Sequence, residues 1–233
     1  MWTISELKEK GTAALKGNYW YCVLVAFIFT VCAGGSGGSA SSSTTNPDAS
    51  EKIKQTIENT DSAAVVTLMI TLLSIAIVAI LIAVLVEIFL LNPLQVSCNA
   101  FFMRNVSDNP ASLNELKEGF NRYGNKVLTM FLKKLFTFLW GCLFLIPAFI
   151  KHYSYMMVPY ILADEPDLGA MEAITKSREM MNGNKWKAFC LDLSFIGWIL
   201  LSILTCGILA IFWTNPYMLS THAALYDELK NNQ

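Results

Sequence analysis

The sequence predicts an all-α polytopic membrane protein, with six transmembrane helices in three hairpin repeats and a cytoplasmic amphipathic interfacial helix before each repeat. Three observations lead to this fold class. Hydrophobic residues make up 54% of the 233 residues and charged residues only 15%, against roughly 25% charged in a soluble domain. Long apolar runs alternate with short amphipathic stretches. A Gly-Asn pair precedes three of these runs, and such internal repetition is typical of repeat architectures.

The Gly-Asn pairs have a physical reason to mark corners between helices. They occur at residues 17–18, 124–125 and 183–184. Glycine adopts the left-handed conformation after a helix without steric cost, and asparagine is a favoured N-cap of the next helix. A proline recurs late in each unit, at Pro93, Pro159 and Pro216. The chain is therefore predicted to be one integral membrane domain, 1–233, with repeat units 1–105, 112–165 and 167–229.

The first unit begins with a surface helix and continues into the membrane. Thr3-x-x-Glu6 is a capping-box pattern, and residues 19–33 form a short apolar run. A cleaved signal peptide is the alternative interpretation of that run. Residues 34–61 are rich in Gly, Ser and Thr, which predicts a flexible extracellular loop. Residues 63–91 are then apolar except for Glu87 and long enough to cross a bilayer of roughly 30 Å.

The second and third units repeat this order. A second capping box, Ser112-x-x-Glu115, opens the second surface helix, which is followed by an ingoing span at 126–144 and a return span at 148–163. In the third unit an ingoing span covers 188–204, residues 205–207 turn, and 208–229 return. The acidic junction 164–167 is predicted to end one helix and to cap the next through Asp167, although a divalent-cation site is an alternative.

Charge distribution predicts the orientation and excludes one class of partner. Of 17 lysines and arginines, Lys52 and Lys54 are assigned to the loop on one side and Lys151 to a span, which leaves 14 at or near the other side. Lys133 and Lys134 belong to these 14 although they fall inside a predicted span, and the asymmetry remains large without them. The positive-inside rule then places both termini in the cytoplasm of a multi-pass cell-membrane protein. The net charge is −1, so no basic field indicates a nucleic-acid partner.

Several segments resemble a known family. They are 146–155, 159–164, 172–174, 180–183, 193–198 and 215–217. Together they are similar to the integral membrane family of Gram-positive bacteria catalogued as domain of unknown function 975, with Ala148 where glycine is expected. The resemblance is dense over 92–229 and implies a bacterial multi-pass protein of unassigned activity. It also implies a distant fold-level similarity to the membrane domains of some glycerophosphodiester phosphodiesterases.

Charged residues inside the apolar runs are the candidate binding residues. They are Glu87, Lys134, Lys151, His152 and Asp192. A charge within a membrane costs at least about 2.5 kcal/mol on insertion scales, so these side chains should face the bundle interior, pair, or reach the interface. One hypothesis is a polar pathway or lipid-headgroup site. The alternative is structural, with Asp192 paired to a lysine and Lys133 extended to the cytoplasmic interface.

No catalytic centre, metal site or cofactor site is predicted. His152 and His222 lack a serine, cysteine or paired carboxylate at a spacing that suggests a triad or metal ligands. The six cysteines contain no C-x-x-C pair and are interpreted as apolar packing residues. A disulfide on the outer face, among Cys32, Cys142 and Cys206, is the alternative.

The functional expectation is a non-enzymatic membrane or envelope module that docks membrane lipids or an unknown membrane or cytoplasmic protein through its surface helices. The main alternative is a transporter or channel for a small solute or ion, with the intramembrane charges along its path. Units that run in the same orientation favour the first interpretation, because transporter repeats are often inverted. A third possibility is an accessory subunit of a phospholipid-processing enzyme.

Overall fold

The computed structural model describes residues 2–34, 62–107, 110–143 and 145–232. Helices and the turns between them account for these residues, and none of them lies in a β-strand. The prediction of an all-α protein is therefore confirmed. The predicted extracellular loop lies almost wholly outside the described residues.

The N-terminal helices form the first predicted corner. Helix α1, Ile4–Gly17, begins where the Thr3 hydroxyl accepts a hydrogen bond from the Glu6 N–H at 3.3 Å. Helix α2, Tyr19–Gly34, follows after Asn18, and the chain bends by 107° between the two helices. Both the cap at Thr3 and the corner were predicted. The Asn18 side chain, however, donates to the Ala111 carbonyl at 2.8 Å and to Asn105 at 3.2 Å, so it anchors a distant segment.

The longest helical segment follows the undescribed region. Helix α3, Ser62–Val86, leads through a π-helix, Glu87–Leu91, into helix α4, Asn92–Ser107. The side chains of 66–86 are exposed, although almost all of them are apolar. The side chains of α4 are mostly buried. Within one continuous helical segment, the side chains therefore change from exposed to buried at Asn92.

The second unit departs from the predicted hairpin. Its surface segment, Leu113–Phe120, is a 3-10 helix, and helix α5, Tyr123–Leu143, already contains the second Gly-Asn pair. The predicted return span at 148–163 is split into α6, Leu145–Ser154, and α7, Val158–Asp164. The break at 155–157 has a covalent cause, because Pro159 has no N–H to donate to the Tyr155 carbonyl.

The third unit has the predicted turn at 205–207, but its predicted ingoing span at 188–204 is divided by a turn at 194–195. Helix α8, Ala170–Met180, is followed by α9, Lys185–Leu193, and α10, Ile196–Leu204. The turn at 205–207 was predicted, and Gly207 there has φ +84°. A second π-helix, Ala210–Thr214, then leads into α11, Asn215–Asn231.

Among the described residues, fewer helices are long and apolar enough to cross a membrane than the sequence predicts. Two helical segments, Val66–Ser107 and Lys185–Leu204, are long and apolar enough to cross a membrane, and Ile4–Gly17 with Tyr19–Val31 makes a third if the bent pair is one span. The expectation of six spans in three repeats has no such support. Helix α5 carries Lys133 and Lys134 in its middle, and charges interrupt a continuous apolar run.

The hydrophobic core lies between the three surface segments and the last helices of the units, α4, α7 and α11. Helix α1 packs on α11, the 3-10 helix packs on α4, and α8 packs on α7, while α4 also contacts α7 and α11. Its largest fully buried side chains include Phe101, Leu162 and Tyr226. Close approach of α1 to α11 depends on Gly11, where an added Cβ would lie 2.7 Å from the Thr221 hydroxyl.

Candidate functional site

The most connected polar group is the Asp192 carboxylate on α9. Its Oδ1 lies 2.7 Å from Nε2 of His222 on α11. Its Oδ2 accepts a hydrogen bond of 2.9 Å from the Tyr153 hydroxyl on α6. Three helices from two units therefore meet at one half-buried carboxylate, and hydrogen bonds to an ionised group are stronger than neutral ones.

Glu87 and Lys134 form a second polar pair. The Lys134 ammonium lies 2.6 Å from Oε1 of Glu87, which joins the first π-helix to α5. Glu87 falls within the candidate span Val66–Ser107. In that environment each charge offsets the cost of burying the other. The Tyr123 hydroxyl also donates to the Phe89 carbonyl, so the same two elements are joined twice.

Lys151 and His152 lie next to each other on α6 but make different contacts. Nζ of Lys151 lies 4.8 Å from the centre of the Trp140 ring, a cation–π contact. The His152 ring is exposed and meets the Tyr153 ring edge to face at 5.6 Å. His152 is thus beside the Asp192 group without being one of its hydrogen-bond partners.

The five predicted residues therefore do not form one continuous cluster in the part of the chain that the structure describes. Glu87 and Lys134 pair with each other, whereas Asp192 is bonded to Tyr153 and His222. Where the alternative hypothesis expects a lysine, the described partners of the Asp192 carboxylate oxygens are Tyr153 and His222. His222 lies 30 residues from Asp192, and no local spacing could have indicated this contact.

A cavity of about 310 Å³ opens beside Lys151. Besides Lys151 it is lined by Arg178 of α8 and Lys185 of α9, and Glu179 and Asn182 also face it. Three cations from three helices thus converge on one concave surface. Arg178 and Lys185 were not among the predicted site residues, since each reads as an ordinary surface charge in the sequence.

The acidic junction at 164–167 is occupied by protein groups. Asp164 accepts from the Tyr226 hydroxyl at 2.9 Å and lies 2.6 Å from the Lys230 ammonium. Asp167 does not cap the next helix, because α8 begins after Gly169 and the Glu172 side chain accepts from the Gly169 N–H at 3.1 Å. This junction therefore carries no argument for a bound cation.

The described residues contain no group of three His, Cys, Asp or Glu side chains that could hold a metal ion. Cys142 and Cys206 are free and exposed, and the side chain of Cys32 is outside the described part. No disulfide therefore joins Cys142 to Cys206 in this structure.

Comparison with known proteins identifies a family for part of the chain. Residues 142–233 match the family model described as protein of unknown function (DUF975), which confirms the resemblance over the region of α6 to α11. No curated protein and no solved structure matches the chain significantly.

Proposed function

We propose that this chain is a non-enzymatic, multi-pass membrane module that holds lipids or a partner protein at the cell membrane. One observation carries the proposal: charges in and beside the apolar helices are bonded across helices, while the outward surface is apolar. The two contacts concerned are the Glu87–Lys134 ion pair and the Asp192–His222 hydrogen bond. Such pairing stabilises a bundle in lipid and leaves its outer face free for contacts.

The outward surface of α3 supports placement in a membrane. Its exposed large side chains include Leu68, Ile75, Leu81 and Leu85, on all sides of the helix. Contiguous apolar patches on soluble monomers rarely exceed a few hundred Å². A helix that is apolar all round is typical of a segment surrounded by lipid.

Two tyrosine contacts support the proposed arrangement in three units. Tyr19, at the first corner, donates to the Phe212 carbonyl in the second π-helix at 2.8 Å. Tyr123, at the second corner, donates to the Phe89 carbonyl in the first π-helix. Phe89 and Phe212 each stand three residues before an Asn-Pro pair. The same contact thus joins unit three to unit one and unit one to unit two.

The three surface segments follow the same cyclic order. Helix α1 packs on α11 of the third unit, the 3-10 helix packs on α4 of the first, and α8 packs on α5 and α7 of the second. Each surface segment therefore contacts the preceding unit, and that of the first unit contacts the third, which supports an arrangement of the three units in a ring. We further propose that both termini and these segments are cytoplasmic, because the lysines and arginines concentrate on that side.

The surface segments also offer the docking face of this proposal. Phe120 and Met171 are exposed apolar side chains at the second and third surface segments. Isolated exposed apolar residues are ordinary, but these two stand on surface segments that also pack against other units. They are the positions at which a bound protein can be tested without disturbing the core.

The test is purification in native membrane discs, with quantification of bound proteins and lipids by mass spectrometry. A near-stoichiometric protein that is lost from a Phe120→Gln/Met171→Gln variant supports docking of a partner. An enriched lipid class without such a protein supports lipid binding. The matched control is Leu128→Gln, an equally exposed apolar position on α5. Loss of the partner from that variant as well, or recovery with neither lipid nor protein enriched, contradicts the proposal.

A transporter or channel for a small solute or ion is the second candidate. The observation that favours it is the Asp192–His222 pair, a carboxylate and an imidazole 2.7 Å apart within the helices. Histidine is a common proton shuttle in proteins, and a carboxylate bonded to its ring fixes the orientation of the imidazole. Proton flux into proteoliposomes that is abolished by Asp192→Asn, in a folded variant, would favour transport over the membrane-module proposal.

A further inference from the structure

The cavity beside Lys151 has the composition of an anion site. Lys151, Arg178 and Lys185 line it, and Glu179 is the only carboxylate among its lining residues in the described structure. Its volume, about 310 Å³, is at the lower end of the roughly 300–1,000 Å³ of ligand pockets. The cavity thus has a net positive lining and room for a small anionic group.

The three cations are not held by ion pairs in the part of the chain that the structure describes. None of them forms an ion pair with a described carboxylate, although other cations of the chain do. Like charges that share a concave site repel one another, and partial exclusion of water strengthens this repulsion. A bound anion would remove it. A guanidinium offers a planar pair of donors that matches phosphate oxygens, while lysines act as point charges.

The cavity also lies at the end of a candidate span. Lys185 is the first residue of the segment Lys185–Leu204, and the neighbouring Trp186 is 72% exposed. Tryptophan is enriched where membranes meet water, and lysine at helix ends favours the same level. The three cations are therefore placed at the depth of lipid headgroups if this segment crosses the bilayer.

An exposed apolar stripe lies on α10 of the same span. Ile196, Leu200 and Leu204 are exposed and follow one another at intervals of four residues, so they share one face of α10. A lipid with its phosphate in the cavity could lay an acyl chain along this face. A soluble phosphate would make no use of it.

We propose that Lys151, Arg178 and Lys185 bind the phosphate of an anionic phospholipid headgroup. This inference rests on the proposed membrane function, because it requires the span to place the cavity at the interface. The inference adds a lipid class and a binding site, neither of which the proposed function specifies. The phosphate supplies the anion, and the exposed stripe supplies the preference for a lipid over a free ion.

The test uses the full chain in a neutral detergent, with its melting temperature followed as ligand is added. The probes are short-chain phosphatidylglycerol, phosphatidylcholine with the same chains, and inorganic phosphate. We expect phosphatidylglycerol to raise the melting temperature with a saturable dose dependence and to act at concentrations at least tenfold lower than the other two. Equal action of inorganic phosphate would assign a soluble anion and overturn the lipid proposal, and equal action of phosphatidylcholine would overturn the charge argument.

Matched variants separate the cavity from net charge. Arg178→Gln/Lys185→Gln should weaken the phosphatidylglycerol response at least tenfold, whereas Lys16→Gln/Lys117→Gln, which removes the same charge elsewhere, should change it less than twofold. Unliganded melting temperatures identify any variant that is merely unstable, and Lys151→Gln then serves as the replacement. An equal loss in both double variants contradicts the proposal.

Carbonate extraction separates failure of this inference from failure of the proposed function. If carbonate releases the chain from membranes, the proposed membrane function fails. If the chain stays in the membrane but does not respond to phosphatidylglycerol, only this inference is refuted.

Discussion

The carboxylate of Asp192 lies 2.7 Å from Nε2 of His222, joining α9 to α11 across 30 residues of sequence. The Tyr153 hydroxyl, 2.9 Å from the other carboxylate oxygen, brings α6 to the same point. Both acceptor atoms of the carboxylate are thus satisfied by side chains of other helices. Hydrogen bonds to charged groups contribute about 1.5–3 kcal/mol each, so this contact should hold the second and third units together.

Asp192→Asn should therefore destabilise the protein by about 1–3 kcal/mol, because the amide keeps the shape of the side chain but not its charge. Thermal unfolding in detergent measures the change. Asp167→Asn is the control, since the Asp167 carboxylate lies 2.6 Å from the Arg122 guanidinium, but these two side chains are 73% and 64% exposed. That change should cost at most about 1 kcal/mol. Similar losses in the two variants would show that the Asp192 contact has no special weight.

The Glu87–Lys134 pair should show strong energetic coupling. Removing one partner leaves the other charge without compensation inside a candidate span, which is costlier than removing both. In a cycle of Glu87→Gln, Lys134→Met and the double variant, we expect an interaction energy above about 1 kcal/mol. The comparison pair is Lys176–Glu165, 2.5 Å apart and outside the candidate spans, where about 0.2–1 kcal/mol is typical. Additive single effects at Glu87 and Lys134 would contradict the prediction.

Gly11→Ala should separate α1 from α11. The new Cβ would lie 2.7 Å from the Thr221 hydroxyl and 3.0 Å from its Cα, and backbone cannot move aside as a flexible side chain can. We expect a loss of about 1–3 kcal/mol, as for other overpacked sites. Gly124→Ala is the control, because nothing lies within 4 Å of its Cβ position in α5. That helix should gain about 0.5–1 kcal/mol, so equal effects of the two alanines would refute the close contact.

The ion pair between Lys10 and Glu228 should make stability depend on acid pH. The hydrogen bond from Lys10 holds the pKa of the Glu228 carboxyl below its usual range. The stabilisation is therefore fully present above the unfolded-state pKa and is lost as the pH falls through the folded-state pKa. Lys10 is 41% exposed, so the effect should be only about 0.2–1 kcal/mol.

The measurement for this pair is the melting-temperature difference between wild type and Glu228→Gln from neutral to acid pH. The difference should shrink towards zero as the carboxyl becomes protonated. Glu9→Gln, an exposed acid on α1 that forms no ion pair among the described residues, should give a smaller difference throughout. A difference for Glu228→Gln that grows on acidification would reverse the predicted sign.

Local signals in the sequence were reliable where local chemistry decides the conformation. The cap at Thr3, the corner at Asn18 and the turn before Ile208 all formed as predicted. The apolar run before Glu87 also became one long helix. In each case the residue type restricts its own backbone or that of its neighbours.

Tertiary contacts decided the features that sequence reasoning missed. Asn18 and Asn125 were interpreted as helix caps, yet their amides donate to distant carbonyls, with Asn125 bonded to Leu168 at 2.6 Å. The partner of Asp192 was sought among lysines and proved to be His222. The partners of these side chains depend on which helices pack against each other, and the sequence does not give that packing. The break before Pro159, by contrast, follows from a missing N–H and was available from the sequence.

At the third corner, replacing the glycine should destabilise the protein. At the second corner, introducing a glycine should not. Gly183 has φ +77° with nothing within 4 Å of its Cβ position, so Gly183→Ala should cost about 1–2 kcal/mol through backbone strain alone. Gly197→Ala, equally uncrowded but without a positive φ, should not destabilise the protein. Equal stability changes at Gly183 and Gly197 would show that the corner tolerates a side chain.

At the second corner the left-handed residue is Arg122, with φ +52°, and Gly124 lies inside α5. Arg122→Gly should therefore relieve about 1–2 kcal/mol of strain, while the exposed ion pair with Asp167 that it removes contributes at most about 1 kcal/mol. The net result should be neutral or stabilising in thermal unfolding, and Arg122→Ala, which removes the pair without relieving strain, should be the less stable variant. If the alanine variant were the more stable of the two, the positive φ at residue 122 would not destabilise the fold. The conformation of the second corner would then be determined by the surrounding contacts.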